Sequence, residues 1–307
     1  MKKINNWILI GLLGGLVVIF IAMKIFRSPT LESNLPERLT EIDSAKVTEL
    51  IVVPGKDRTS EVRLTKTGKV WTLNTGDRVG HLEQGRGNTS LQSLMNLKPQ
   101  RVLTKRKEKW NEFGVGDSTG THVRVMEGSS TKSDLWIGRT GFSQSSGSGY
   151  TYVRMEGEDE VYSVDGFLEG QFNLNFNDWR DKSFTRIKRD SIDKIIFRYP
   201  ADSSFVLEKR NGKWKLGVVA TDSAAVASYL SGMEYKNISA FAEVPPPGNA
   251  VAVITFEKNS NVIATLEAWP GLGAWMVRSS KQPDTFFSSD ASVTKDVWKG
   301  RKAFEIK

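Results

Sequence analysis

Residues 68–73 read Gly-Lys-Val-Trp-Thr-Leu, and residues 212–216 repeat the stretch as Gly-Lys-Trp-Lys-Leu. An apolar strand, a polar turn and a second strand precede each copy, so each Gly-Lys pair is predicted to turn the chain into the third strand of a meander. Recurrence of the whole unit indicates an internal duplication. A solenoid would show shorter and more numerous repeats.

The correspondence between the halves extends beyond the meander. A short helix is predicted after each copy, at residues 89–95 and 222–230, and each helix leads to a further strand pair. Residues 150–154 (YTYVR) are matched by residues 274–278 (AWMVR). The fold class predicted is α+β, dominated by β structure, with two similar modules of antiparallel sheet and about one helix each.

The predicted domains are an N-terminal membrane anchor (1–27), a linker (28–45), a first α+β module (46–184) and a second module (185–307). The anchor is predicted from residues 7–23, an unbroken run of 17 residues that are apolar or glycine. This length is at the short end for a spanning helix. A cleaved signal peptide is the alternative, but the end of the run lacks the pair of small residues that a signal-peptide cleavage site requires. We therefore favour an uncleaved transmembrane helix.

Charge and composition narrow the class of protein. Two basic residues lie on each side of the apolar run, so the positive-inside rule barely fixes its orientation. The short N-terminal tail and the strand-rich remainder favour a body outside the cytoplasm. The chain has 43 basic residues, and without these four it has 39 basic against 35 acidic residues. So small an excess of positive charge is a poor argument for a protein that binds nucleic acid. A chain without cysteine has no disulfide, thiolate metal site or cysteine nucleophile.

The densest basic stretch contains Lys105, Arg106 and Lys107, with Trp110 beside it. Such a stretch could bind anionic lipid headgroups or an acidic partner. The simpler interpretation is a solvated face with the indole of Trp110 packed inward. We carry these four residues forward as candidate interaction residues.

Nine tryptophans are many for 307 residues, and most recur at matching points of the two halves. Recurrence at equivalent positions is what a packing role predicts. Four are therefore predicted to be core residues: Trp71, Trp136, Trp214 and Trp275. Trp179 and Trp298, each beside basic residues where a module ends, are candidate interface anchors.

No pattern in the sequence predicts a catalytic residue, a metal site or a cofactor. The two histidines, His81 and His122, lie in different surroundings, and one histidine per environment rarely makes a metal site. The glycine-rich residues 138–149 lack the Lys-Ser/Thr of a phosphate-binding loop, so a hairpin loop is the better interpretation. The acidic residues 156–160 are interpreted as a solvated turn.

After the Gly-Lys-Val-Trp stretch, short motifs follow in a defined order: LWIG at 135–138, YVR at 152–154, VYSV at 161–164 and WRDK at 179–182. In this order the chain, from about Lys46 to its end, resembles the domain of unknown function 4340 family. The resemblance implies a bacterial envelope protein with one N-terminal membrane helix. It also implies an accessory role beside ABC transporter permeases of the gliding-motility type. It implies no active site.

The sequence and the resemblance together lead to one leading hypothesis and two alternatives. We expect a non-enzymatic, single-pass accessory or scaffold protein of the bacterial inner membrane, with its body on the periplasmic side. The expected partners are the membrane and permease or other envelope proteins, and no nucleic acid. A binding module for an extracytoplasmic glycan or lipid is the first alternative, and an unrecognised hydrolase is the second.

Overall fold

The computed structural model describes Gly15 and residues 35–144, 147–271 and 273–306. The predicted anchor, residues 1–27, lies outside the described residues except for Gly15. Within the described part of the chain, no helix combines the length and the apolar character needed to cross a membrane. The end of the predicted linker packs on the body, because the N–H of Leu39 donates to the carbonyl oxygen of Leu97 at 2.9 Å and Thr40 is buried.

The first half of the chain forms a nine-stranded sheet in the order β4-β3-β2-β1-β6-β7-β8-β9-β5. Its strands are β1 (Glu49–Val53), β2 (Val62–Thr67), β3 (Val70–Thr75), β4 (Arg78–Gly80), β5 (Pro99–Thr104), β6 (Thr121–Glu127), β7 (Ser130–Ser143), β8 (Ser148–Met155) and β9 (Val161–Asp165).

The second half forms another nine-stranded sheet in the order β14-β13-β12-β11-β17-β18-β19-β20-β16. Its strands are β11 (Lys194–Arg198), β12 (Phe205–Arg210), β13 (Lys213–Leu216), β14 (Val219–Ala220), β16 (Phe241–Ala242), β17 (Ala252–Lys258), β18 (Asn261–Trp269), β19 (Trp275–Ser279) and β20 (Gln282–Ser289). The strands β10 (Ser183–Thr185) and β15 (Lys236–Asn237) pair with each other in a separate two-stranded sheet.

Helices are few and mostly short in the described part of the chain. They are α1 (Arg86–Met95), α2 (Trp110–Phe113), α3 (Leu168–Phe172), α4 (Phe176–Trp179), α5 (Ser223–Glu234) and α6 (Ala291–Val297), with 3₁₀ turns at Lys107–Lys109, Arg189–Ser191 and Arg301–Phe304. The two helices predicted from the sequence are α1 and α5. Asp222 caps α5, since its carboxylate accepts from the N–H groups of Ala224 and Ala225.

The two sheets have the same strand order, position for position, so the chain contains two similar β-sheet modules. Equivalent residues also occupy equivalent places in the strand register. Leu64 lies opposite Leu73 in the first sheet, and Leu207 lies opposite Leu216 in the second. All four side chains are buried. Each buried aliphatic side chain of this size contributes about 1.5–3 kcal/mol to folding relative to an exposed one.

The two tryptophans of the repeated stretch lie two residues before these leucines and are partly buried. The indole of Trp71 lies against Gly87 at the start of α1, and its Nε1–H donates to Oδ1 of Asn88 at 2.8 Å. The indole of Trp214 packs against the core of the second sheet. Neither ring is fully exposed, but the leucines are the more deeply buried residues. Of the four tryptophans predicted to be core residues, one is buried, Trp136, and three are partly buried, Trp71, Trp214 and Trp275.

By packing, the described chain divides into two compact units. The first contains Val52–Arg58, Ser90–Asn173 and the described residues up to Val47. The second contains Thr48–Ile51, Thr59–Thr89 and the described residues from Leu174 onward. The domain boundary predicted near residue 184 stays a prediction.

The contact between Trp71 and Gly87 leads to a prediction about stability. A Cβ atom on Gly87 would lie 2.5 Å from the indole Cγ of Trp71, whereas a Cβ on Gly232 in α5 would meet nothing within 4 Å. We expect Gly87→Ala to destabilise the fold by about 1–3 kcal/mol through overpacking. Gly232→Ala should stabilise it by about 0.5–1 kcal/mol, because alanine loses less backbone entropy in a helix. Urea unfolding of both variants measures the change in the free energy of unfolding that each substitution causes. A stabilising effect of Gly87→Ala would contradict this packing.

Candidate functional site

A row of polar and aromatic side chains crosses the face of the first sheet that points away from its buried leucines. The register places His122 opposite Trp136, and Trp136 opposite Arg154. Directly opposite residues of antiparallel strands share a face and lie in contact distance. The three side chains therefore meet across β6, β7 and β8.

Arg154 is the buried cation of this row, with only 2% of its side chain exposed. Its guanidinium lies 3.8 Å from the centroid of the Trp110 ring, and its Nη2 is 2.6 Å from Oδ1 of Asp117. Its Nε donates to the carbonyl oxygen of Val115 at 3.2 Å. Desolvation lowers the pKa of Arg154 and the carboxylates of Asp117 and Glu156 oppose that shift. An arginine remains charged through such a shift.

The other end of the row brings a histidine and two carboxylates together. The imidazole of His122 stacks on the indole of Trp136, with centroids 4.2 Å apart and planes 9° apart. Its Nε2 is 2.5 Å from Oδ1 of Asp134. The indole N–H of Trp136 donates to Oε2 of Glu156. Nitrogen and oxygen atoms of His122, Asp134 and Glu156 lie within 4.8 Å of one another. We call these three residues the His122 cluster.

The basic stretch that the sequence singles out is paired with the acidic turn that follows β8. Nζ of Lys105 is 2.9 Å from Oε1 of Glu160, and Nζ of Lys107 is 3.3 Å from Oδ1 of Asp159. The side chain of Arg106 is exposed. The basic stretch and the acidic turn therefore offset each other's charge. Lys105 and Lys107 are exposed as well, at 69% and 64% of their side chains, but Arg106 takes no part in these two ion pairs.

Trp110 is held inside this arrangement. Its indole N–H donates to the carbonyl oxygen of Asp159 at 3.2 Å, while Arg154 stacks on its ring. The ammonium of Lys107 lies 5.6 Å from the same ring. The indole is half-buried, which agrees with the interpretation of an inward-packed tryptophan beside a solvated basic face.

The two tryptophans considered as interface anchors differ in exposure. Trp179 is fully buried, and the guanidinium of Arg86 lies 4.8 Å from its ring. Trp298 is partly exposed and packs near Phe184, with ring centroids 6.1 Å apart. Its indole N–H is buried and has no hydrogen-bond partner among the described residues. An interaction role for these two residues stays a prediction.

The glycine-rich residues 138–149, predicted to form a hairpin loop, lie for the most part in strands: 138–143 end β7 and 148–149 begin β8, in the part of this stretch that the structure describes. A Cβ on Gly138 would lie 2.3 Å from the carbonyl oxygen of Phe113, and a Cβ on Gly141 would lie 2.4 Å from the ring of Tyr150. The glycines thus allow other groups to approach the strand closely. Their role here is one of packing.

A groove of about 500 Å³ opens within the second unit. Among the residues that line it are Glu83, Asp181, Glu234 and Arg186, together with the ring of Tyr235, which is 80% exposed. The guanidinium of Arg186 lies 5.5 Å from that ring. The groove therefore offers an exposed aromatic face and several charged groups to a ligand.

The His122 cluster was missed at the sequence level, because His122, Asp134 and Glu156 are separated along the chain by strand turns. Only the register of three strands brings them to one place. Part of the cluster could have been predicted from the hairpin of β6 and β7. With its turn near residues 127–130, this hairpin places residue 122 close to residues 134–136. Glu156 could not have been assigned to the cluster, however, without knowing that β7 pairs with β8.

Comparison with known proteins supports the resemblance noted from the motifs. The sequence model of the family described as Domain of unknown function (DUF4340) matches residues 71–252, which is more than half of the chain. The chain belongs to this family. The match begins at Trp71 of the repeated stretch and ends in β17 of the second sheet. No curated protein and no solved structure shows significant similarity to the chain.

The two modules contain equivalent arginines in different surroundings, which allows a matched test of the buried row. Arg154 lies opposite Trp136, and Arg278 occupies the same register position opposite Glu267. Nη2 of Arg278 is 2.7 Å from Oε2 of Glu267, and 32% of its side chain is exposed.

We expect Arg154→Ala to cost about 2–3 kcal/mol, because it removes a desolvated cation–π contact and charged hydrogen bonds. Arg278→Ala should cost only about 0–1 kcal/mol, as an accessible ion pair does. Chemical denaturation of the full-length variants, followed by circular dichroism, provides the comparison. Equal losses at the two positions would contradict the structural role assigned to the buried row.

The pairing of the two charged stretches predicts a pH effect. A hydrogen bond from Lys105 holds the pKa of Glu160 below its ordinary value. The pair therefore stabilises the fold above the unfolded pKa of about 4.3, and this contribution is lost as the pH falls through the lower folded value. Lys105→Ala should raise the pKa of Glu160, and Arg106→Ala should leave it unchanged. A ¹³C NMR titration, with Glu160→Gln to assign the signal, measures both; no rise in Lys105→Ala would refute the pairing.

Proposed function

We propose that this protein is a non-enzymatic accessory or scaffold protein of a bacterial envelope complex, held in the inner membrane by residues 7–23 with its body in the periplasm. The proposed complex is an ABC transporter of the gliding type. The apolar run and the family resemblance support this placement.

The observation that carries the proposal is the structural use of the charged residues in the described part of the chain. The basic stretch and the acidic turn bind each other, and Arg154 is held by an indole and a carboxylate. Among the described residues, the shifted pKa values belong to arginines, tyrosines and two carboxyls. The pKa of each carboxyl, that of Glu160 and that of Asp290, is lowered. A general acid would instead need a carboxyl whose pKa is raised towards neutrality. The arrangement favours a protein that presents surfaces over one that performs acid–base chemistry.

The duplication supports the same conclusion. Two modules with one strand order give two related surfaces on a single chain, which suits a protein that holds other proteins together. Within the exposed basic stretch, Arg106 takes no part in the ion pairs of Lys105 and Lys107, and we propose it as the point that meets an acidic partner or anionic headgroups.

A second candidate function, binding of a glycan or lipid outside the cytoplasm, is favoured by the groove of the second unit. Its volume of about 500 Å³ lies in the range of ligand sites. The exposed ring of Tyr235 could stack on the apolar face of a ligand, while Glu83, Asp181 and Arg186 supply hydrogen bonds.

Crosslinking in native membranes, followed by mass spectrometry of the purified full-length protein, tests the proposal. We expect permease subunits in the crosslinked material from the wild type. Arg106→Glu should reduce their recovery while preserving the ion pairs of Lys105 and Lys107. Lys281→Glu is the matched control, since it reverses an exposed charge in the turn between β19 and β20 of the second module.

Three outcomes separate the hypotheses. Equal recovery from Arg106→Glu and Lys281→Glu would eliminate the basic stretch as the contact. A wild type that captures no permease would overturn the transporter proposal. If the protein is then stabilised against heat by a glycan or lipid, and Tyr235→Ala removes that stabilisation, the second candidate function replaces the first.

A further inference from the structure

The His122 cluster has the donor groups of a metal site. It offers one imidazole nitrogen and two carboxylates, all within 4.8 Å of one another, from β6, from β7 and from the residue that follows β8. The side chains of His122 and Asp134 are 20% and 27% exposed, and that of Glu156 is 48% exposed. A cation from solvent could therefore reach the cluster without opening the sheet.

Trp136 orients two of the three donors. Its ring stacks on the imidazole of His122, and its indole N–H donates to Oε2 of Glu156. The backbone N–H of Glu156 also donates to the carbonyl oxygen of Asp134 at 2.9 Å, which fixes the two carboxylate-bearing residues relative to each other. Metal sites commonly depend on such surrounding groups to orient their ligands.

Three arginines lie near the cluster: Arg58, 5.2 Å from the Trp136 ring, Arg124, opposite Asp134 in the register, and Arg154. Of these, Arg154 is largely engaged elsewhere. Its Nη2 lies 2.6 Å from Asp117, whereas its Nη1 lies 3.7 Å from Glu156. The guanidinium also stacks on Trp110. Asp117 therefore carries the shorter contact with Arg154, and Glu156 retains an oxygen for a second cation.

The second module shows which residues of this face the fold itself requires. Val123 lies opposite Leu135, and Ile254 lies opposite Leu266, so the two hairpins can be matched residue by residue. The arginine of the row recurs as Arg278. The three donors do not recur: the residues equivalent to His122, Asp134 and Glu156 are Val253, Thr265 and Ser280. The sheet can thus be built without them.

We infer that His122, Asp134 and Glu156 form a binding site for a divalent transition-metal cation, and that Zn²⁺ suits it best. One imidazole with two carboxylates is a donor set that Zn²⁺ accepts, with water completing the coordination. The site goes beyond the proposed scaffold role and does not depend on it.

The test uses the full-length protein without a histidine tag, freed of metal with a chelator and kept in detergent. Titration with Zn²⁺ in an isothermal calorimeter should show one equivalent bound per chain. His122→Ala and Asp134→Asn should each abolish that binding. Asp134→Asn is nearly isosteric, so it keeps the inference testable if His122→Ala does not fold. The control His81→Ala removes the other histidine and should bind Zn²⁺ as the wild type does.

A spectroscopic measurement locates the ion. Cu²⁺ bound at the cluster should quench the fluorescence of Trp136, and Trp136→Phe should remove that quenching. The same variant should weaken Zn²⁺ binding about 10-fold or more, because it deletes the group that orients Glu156. The inference is overturned if the wild type binds no stoichiometric Zn²⁺, or if Asp134→Asn and His122→Ala bind it as tightly as His81→Ala.

Discussion

The register of the antiparallel strands is the constraint on which the rest of this structure depends. Side chains alternate between the two faces of a strand, so a slip of β2 or β3 by one residue would move its buried leucine, Leu64 or Leu73, to the opposite face. The same register fixes the opposite face, where His122, Trp136 and Arg154 meet in a row. The core and the candidate metal site are thus two consequences of one pairing.

The duplicated modules share this register but differ on the face of the sheet that points away from the buried leucines. In the first sheet, the segment that contains α2 brings Trp110 over Arg154 and leaves the guanidinium almost fully buried. In the second, Arg278 at the equivalent place pairs with Glu267 and remains partly exposed. A buried cation needs several partners to offset its desolvation, which explains why Arg154 also contacts Asp117 and Val115. Duplication preserved the strand order and allowed the covering segments to diverge.

Much of the charged surface of the first module is satisfied within the chain. Lys105 and Lys107 are bound to the turn that contains Asp159 and Glu160, so only part of the basic stretch is available to another molecule. A scaffold of this kind would present individual exposed groups such as Arg106 and the rims of its sheets, instead of a broad basic patch. This distribution of charge agrees with the small charge excess that remains outside the N-terminal segment.

The sequence by itself determined the duplication, the β-dominated fold, the helices α1 and α5 and the family, because strand alternation, turn residues and caps act over a few neighbouring residues. It did not determine that Leu73 and Leu216, two residues after the repeated tryptophans, are the more deeply buried residues. Only the tertiary structure decided that the basic stretch meets the acidic turn, and that His122, Asp134 and Glu156 come together. These contacts join residues far apart in sequence, and they depend on which strands pair and in which register, a choice made by the cooperative packing of the whole sheet.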